Sequence, residues 1–258
     1  MDVFPDADPA QIERAHQLIA EAQKIVVLTG AGISTDSGLP DFRGPNGLWT
    51  KNPEAEKASN IRYYVTDSNV RITNWRLRAE GRLWANVHPN DGHRALLPLQ
   101  ERGTLHTLIT QNVDELHQMA GIDPASVVEI HGTTRKAGCL ECDYRTTMEA
   151  VLERVRGGDE DPRCPLCGGL LKSATISFGQ ALVAEDLARA QQAADAADLL
   201  LAVGSTLTVN PIASVVPRAH RNGADIVIVN AEPTPFDDLA AAVVRGSISE
   251  VLPRIIGA

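Results

Sequence analysis

No stretch of this sequence approaches the ~20 continuous apolar residues that a membrane-spanning helix needs. Its first residues, Met1-Asp2-Val3-Phe4-Pro5-Asp6, are acidic and proline-bearing, where a secretion signal is basic and then apolar. A soluble, cytoplasmic protein is expected. A basic excess is missing too: 24 Lys and Arg stand against 33 Asp and Glu, a formal net charge of −9, whereas binding to a phosphate backbone draws on clustered cations. Neither a membrane nor a direct nucleic-acid partner is expected. There is no internal repeat and no low-complexity tract. Cysteine is limited to four residues in two C-x-x-C pairs, which leaves none for disulfides and agrees with a reducing compartment. At 258 residues, 43% of them hydrophobic, the chain can still bury a full core and carry a small second lobe.

The two pairs, Cys139/Cys142 and Cys164/Cys167, are separated by 21 residues, just beyond the roughly 15–20 usual for paired zinc knuckles. Two chelating turns of equal spacing predict a tetrahedral Cys₄ zinc site. Because four thiolates leave no open position for a catalytic water, the ion is expected to be structural. Between residues 135 and 172 seven basic side chains balance seven acidic ones, which speaks against a zinc ribbon that reads DNA.

Around this segment the pattern is that of an α/β domain. Asp8 suits an N-cap, Pro9 the first helical position and Gln11 a capping box, with Ile12, Ala15, Ile19 and Ala22 on one face. Short apolar runs then recur at residues 24–29, 105–109, 127–130, 199–203 and 226–229, and helical patterns at 184–197 and 212–221 fall between the later ones. The alternation predicts a doubly wound, parallel, Rossmann-like sheet, whose ligands bind beyond the carboxyl ends of its strands. Two segments break it: a polar stretch at 44–88, read as a loop followed by helices inserted above the sheet, and the cysteine segment at 133–172. The expected organisation is a nucleotide-binding domain of residues 1–43, 89–132 and 173–258, a helical insertion of 44–88 and a zinc-binding lobe of 133–172.

Gly30-Ala31-Gly32 follows the first strand, where glycines let a backbone approach a pyrophosphate. A dehydrogenase fingerprint needs a third glycine where Thr35 stands and an acidic residue ending a second strand about 20 positions on. Neither is present, so hydride transfer is disfavoured, and a glycine turn serving only chain reversal stays open. Gln111, Asn112 and Asp114 leave another strand end together. They suit ribose hydroxyls and a carboxamide, although Asp114 could equally cap the helix that follows. Among the seven histidines, His131 stands out because it ends a strand before a glycine, where imidazole can act as a general base. His93 flanks a polar loop, and His117 is read as packing or hydrogen bonding.

The run from Gly30 to Gly44, including Ser34, Ser37-Gly38, Pro40-Asp41-Phe42-Arg43, resembles the signature of the sirtuins, the NAD-dependent protein-lysine deacylases. Thr110-Gln111-Asn112-Val113-Asp114 with Leu116-His117 and Ala120-Gly121 resembles their second signature. Glu129-Ile130-His131-Gly132, Phe178-Gly179, Gly204-Ser205-Thr206-Leu207 with Val209 and Pro211, and Asn230 follow in the same order. The resemblance implies NAD as cofactor, one structural Zn²⁺ and acyl-lysine proteins or peptides as substrates. The acyl oxygen would attack the ribose carbon bearing nicotinamide, and His131, with Asn112 in the catalytic site, would remove a proton from a ribose hydroxyl. Lysine, nicotinamide and an O-acyl-ADP-ribose would leave. It further implies cofactor contacts from Gly30, Ala31, Gly32, Ile33, Asp41, Phe42, Arg43, Gln111, Asn112, Asp114, Gly204, Ser205, Thr206, Asn230 and, through its backbone, Ile248.

On the substrate side, Ser177, Phe178 and Gly179 are expected to offer a backbone edge to the peptide. Members that remove acidic acyl groups carry a Tyr-x-x-Arg pair; Trp75 and Arg78 occupy the matching positions, with Ala58 where a small residue makes room. The phenol is lost and the arginine kept, so the acyl preference stays open between acetyl and acidic or longer groups. Gln180 replaces the usual acidic residue and Ser173 the usual proline. Two alternatives stay open: a mono-ADP-ribosyltransferase on the same NAD site, and a non-catalytic NAD-sensing module.

Overall fold

The computed structural model describes residues 7–41, 47–51, 59–82 and 87–257. Phe42, Arg43 and Ala58 lie outside them. Among the described residues the strands are β1 (Ile25–Thr29), β2 (Leu105–Thr110), β3 (Val127–Glu129), β4 (Gly132–Cys139), β5 (Arg145–Thr147), β6 (Leu171–Thr175), β7 (Leu199–Val203), β8 (Asp225–Val229) and β9 (Ala242–Val244). Six of them pair in parallel in the order β3-β2-β1-β7-β8-β9. This is the doubly wound sheet expected from the alternation.

Every residue of β1 and β7 is buried, as strands covered on both faces must be. Ile25, Val27, Leu201 and Val203 pack with Ile12, Ile19, Val251, Leu252 and Ile255, from helices α1 (Pro9–Glu21) and α11 (Ile248–Ile256). The intervening Val26, Leu28, Leu200 and Ala202 face Ala190, Ala194, Val215 and Val216 of α9 (Ala184–Ala196) and α10 (Val215–Arg221) on the other side. Each such Val, Leu or Ile side chain contributes about 1.5–3 kcal/mol on full burial.

Two local expectations need correction. Asp8 caps α1 and accepts from the amide of Ala10 at 2.9 Å, but Gln11 forms no capping box. Its Oε1 accepts the N–H of Val243 at 2.9 Å instead. Strand β9 pairs with β8 and ends the sheet, so the side chain satisfies a donor that the edge leaves open. The helix expected over 212–221 divides into a 3₁₀ turn, Ile212–Ser214, and α10. Pro217 explains the division, since an unbroken helix would place it in the interior without an N–H to donate.

Strands β5-β4-β6 form a separate antiparallel sheet. It begins at Gly132 and ends at Thr175, one residue before and three beyond the segment 133–172. With α8 (Met148–Arg156) it encloses a small core of Ala137, Met148, Val151, Leu152 and Leu171, into which Trp75 inserts. Trp75 comes from α4 (Ser68–Ala79), which follows α3 (Ile61–Thr66). Two further ties hold these helices to the lobe. Tyr64 donates its hydroxyl to the Leu171 carbonyl at 2.6 Å, and Arg71 pairs with Asp161 at 2.9 Å.

Candidate active site

Strand β1 lies between β2 and β7, so the turns after β1 and β7 meet where the sheet changes direction. They abut closely. A Cβ on Gly30 would lie 2.7 Å from the Gly204 carbonyl oxygen, and one on Gly32 2.8 Å from Gly204 Cα. The glycines therefore serve first to let two backbone turns touch. The N–H groups of Gly30, Gly32 and Gly204 are spent on Val203, Gly204 and Val229 carbonyls, at 3.0, 2.9 and 2.8 Å. Those of Ala31, Ser205 and Thr206 make no hydrogen bond among the described residues, which fits them to a pyrophosphate.

The end of β2 supplies the next layer. Gln111 donates to Ser205 Oγ at 2.8 Å and so ties the end of β2 to the turn after β7. Asn112 is buried and donates to the Gly30 carbonyl and to Ser34 Oγ, both at 3.1 Å. Ser34 in turn donates to Asp114 Oδ2 at 2.9 Å, while Asp114 Oδ1 accepts the Leu116 N–H at 3.0 Å. Asp114 thus holds the first amide of α7 (Leu116–Ala120) from one residue before its Glu115 N-cap, and it faces the recess lined by Ala31, Ser34, Leu39, Pro40, Asn112 and Val113. Burial raises its pKa above the usual carboxylate range, opposed by the bonds from Leu116 and Ser34.

His131 follows β3, and its Nδ1 lies 3.0 Å from the Gln111 carbonyl. A carbonyl only accepts, so Nδ1 carries the proton and Nε2 of the neutral ring carries the lone pair. The next residue holds this position. Gly132 has φ +72°, and a Cβ there would sit 2.0 Å from the Ala174 carbonyl oxygen. The His131 carbonyl accepts the Ile176 N–H at 2.8 Å. The end of β3 is thereby tied to the strand leaving the small sheet.

Asn230 ends β8, is buried, and donates Nδ2 to the Glu232 carbonyl at 2.7 Å. Ile33 and Ile248 pack within one core, leaving only the backbone of Ile248 for a ligand. Thr206 is exposed beside Thr208, and Asp41 is half-buried before the undescribed segment.

The substrate-side residues are less gathered. Phe178 does not present an open edge: its N–H donates to Ser59 and its carbonyl accepts from Ile61, both at 3.0 Å. Ser177 is closed off by Gln180, whose Oε1 accepts the Ser177 N–H at 2.9 Å and whose N–H donates to the Ser177 carbonyl at 3.0 Å. Gly179 remains, with φ +84°. Trp75 is 1% exposed inside the small core and so cannot line a pocket. A large aromatic ring one helical turn before Arg78 fills the lobe because nothing else there is its size. Arg78 donates to Asn74 at 2.9 Å and reaches Ser173 Oγ at 3.5 Å, and burial lowers its pKa to about 10. Lys172, bonded to the Thr175 carbonyl at 2.6 Å, is lowered to about 7 by burial and by Arg78.

The sulfur atoms of Cys139, Cys142, Cys164 and Cys167 all lie within 4.8 Å of one another, with neighbouring pairs at 3.5–3.6 Å. Four thiolates around a common centre fit tetrahedral Zn²⁺ with Zn–S bonds of about 2.3 Å. The Sir2 family model matches residues 30–211, which hold the glycine turn, the β2 end, His131, the cysteines and the Gly204 turn.

The chain belongs to the Sir2 family.

Its Sir2 relatives include NAD-dependent protein deacetylase 2 of Streptomyces coelicolor, 44% identical over 232 residues that make up 90% of this chain and 96% of that protein. NAD-dependent protein deacetylase 1 of Bradyrhizobium diazoefficiens is 42% identical over 249 residues, 95% of each chain. A solved Sir2 structure with a p53 peptide and NAD⁺ superposes with a TM-score of 0.80 at 32% identity, covering 93% of this chain and 95% of that one. Another, Sir2 bound to acetylated peptide, gives 0.82 at 31% identity, covering 95% and 97%.

Behind this Sir2 site lies a polar layer of which sequence reasoning reached only His117. His93 Nδ1 lies 3.3 Å from the Asn90 backbone nitrogen and 3.1 Å from Asn90 Oδ1, and Nε2 lies 3.4 Å from Ser34 Oγ. Burial lowers the His93 pKa to about 4 and keeps the ring neutral. His117 lies 5.0 Å from His93, centroid to centroid, and is also kept neutral by burial; its Nε2 bonds Thr29 Oγ1 at 2.9 Å. The reading of His117 as hydrogen bonding anticipated this. For His93, the Asn90 cap three residues before it was the available signal.

Proposed function

We propose that this protein removes acetyl groups from lysine side chains of proteins, consuming NAD and one water and yielding nicotinamide, O-acetyl-ADP-ribose and free lysine. The observation that carries the reading is the orientation of His131, whose Nδ1 is held by the Gln111 carbonyl at the same edge of the sheet, beyond the strand ends, where the Gly30 and Gly204 turns meet. NAD supplies the activated glycosidic bond whose cleavage drives acyl removal. The chain's own residues do the rest. Ala31, Ser205 and Thr206 amides hold the pyrophosphate, Gln111 and Asn112 hold ribose hydroxyls, and Asp114 with Ser34 shapes the recess for the carboxamide. His131 Nε2 takes a proton from a ribose hydroxyl. Cys139, Cys142, Cys164 and Cys167 hold zinc that braces the lobe, with no part in the chemistry.

Acetyl is favoured over acidic acyl groups because Trp75 is enclosed in the lobe and Arg78 is engaged by Asn74 and Ser173. The protein partners are acyl-lysine segments. Among the described residues no helix is long and apolar enough to cross a membrane. The reading is tested by incubating the protein with NAD and a panel of acetyl-, succinyl-, glutaryl- and long-chain acyl-lysine peptides under mass spectrometry. Acetyl loss should dominate. ADP-ribosylated protein without acyl loss would favour the transferase, and acidic acyl loss outpacing acetyl loss would overturn the assignment of Arg78.

A further inference from the structure

Arg245, the residue after β9, joins two loops at the far end of the nucleotide cleft. Its Nη1 donates to the carbonyl oxygens of Asn230 and Glu232, each at 2.9 Å, and its Nη2 pairs with the Asp237 carboxylate. Asp237 is steadied from the other side by Thr234, whose hydroxyl donates to it at 2.7 Å. The Asn230 N–H donates to the Val244 carbonyl at 3.2 Å, so the backbone just before Arg245 is tied to the same turn. Three positions on, Ile248 opens α11.

The consequence falls on the Asn230 carboxamide. The Glu232 carbonyl can only accept, so the atom 2.7 Å from it must be Nδ2. Arg245 fixes that carbonyl, and with it the direction of the amide. One Asn230 amine hydrogen is spent on Glu232, whereas Oδ1 makes no hydrogen bond among the described residues. With Nδ2 held on the turn, the planar carboxamide directs Oδ1 away from it, and the chemical complement of that oxygen is a donor such as a ribose hydroxyl.

We propose that Arg245 is a positioning residue for the adenosine end of NAD, acting through the Asn230 carboxamide. The proposal rests on the reading of the cleft as an NAD site. Arg245 touches no reacting atom; it holds the 230–232 turn so that an acceptor, and not a donor, meets the sugar.

The test is a double-mutant cycle on Asn230→Ala and Arg245→Gln, with Arg245→Lys as the conservative variant, read as KM for NAD, KM for acetylated peptide and kcat. Arg245→Gln should raise the NAD KM roughly tenfold, the worth of one charge-assisted hydrogen bond. The peptide KM and kcat at saturating NAD should move less than about threefold. Arg245→Lys, which keeps the charge and can still reach a carbonyl, should recover most of the loss. In the Asn230→Ala background, Arg245→Gln should add less than about twofold, because the group it positions is gone. An unchanged NAD KM in Arg245→Gln, or additive effects in the double variant, overturns the proposal. If Asn230→Ala raises the NAD KM while Arg245→Gln does not, only the role of Arg245 falls. If neither variant affects NAD, the reading of this end of the cleft falls with it.

Discussion

His131 Nδ1 and the Gln111 carbonyl oxygen are 3.0 Å apart, and this one contact decides which ring nitrogen can act as a base. Because Gln111 also donates to Ser205 Oγ at 2.8 Å, the residue that orients the imidazole also ties the end of β2 to the Gly204 turn. Replacing His131 by Ala should lower kcat about 10²–10⁴-fold, the range for losing a positioned general base. NAD and peptide affinity, measured by calorimetry, should change little. Full turnover by the variant would assign the base elsewhere, and intact function without turnover would favour a sensor.

Gly132 should tolerate no side chain. A Cβ there meets the Ala174 oxygen at 2.0 Å and the backbone has φ +72°, so clash and strain add. Gly132→Ala is expected to cost about 3 kcal/mol or more in chemical denaturation. It should also disturb the Ile176-to-His131 bond and depress turnover in whatever protein remains folded. A neutral result would mean the β4 and β6 backbones separate easily.

Zinc removal should reach the helices that carry Trp75. Its indole is buried against Ala137, Met148 and Leu152, so chelation should loosen that core and shift the emission of Trp75 to the red, in a variant with Trp49 and Trp84 replaced by Phe. Activity should disappear in parallel and return with Zn²⁺. Zinc loss that leaves both emission and turnover intact would contradict a structural role.

Glu129 gives a pH dependence to stability. Burial, with the neighbouring Glu115 and Asp114, raises its pKa from 4.5 to about 7, against Gln118 and Lys136. The folded protein thus holds this proton more tightly than the unfolded chain. The resulting stabilisation is full below pH 4.5 and is lost as pH rises through 7. Discounted for partial exposure, it is worth on the order of 1–2 kcal/mol. Melting temperatures across that window should therefore flatten in Glu129→Gln. An equally steep profile in the variant would place the titration on another group.

The sheet was legible because strands buried on both faces leave unbroken apolar runs, and β7 spans the residues expected, Leu199 to Val203. The cysteine pairs were legible because their spacing is itself the chelating geometry. Less visible were contacts made across the fold. Nothing local says that Gly30 must touch Gly204, that His93 serves Ser34 from 59 positions away, or that Gln11 completes the edge of β9. Trp75 was placed by its alignment with a tyrosine position, but its volume decided otherwise. Phe178 sits in an extended segment as expected, yet Ser59 and Ile61 claim its backbone, a long-range pairing with no sequence signature.

The central claim is that acyl removal and NAD cleavage are one event at His131. It is tested most directly by counting products from acetyl-lysine peptide and NAD. One nicotinamide and one O-acetyl-ADP-ribose should form for each lysine freed, and with His131→Ala lysine and O-acetyl-ADP-ribose should appear about 10²–10⁴-fold more slowly. Nicotinamide released in excess without acyl transfer, or acetate and lysine formed without NAD, would contradict it.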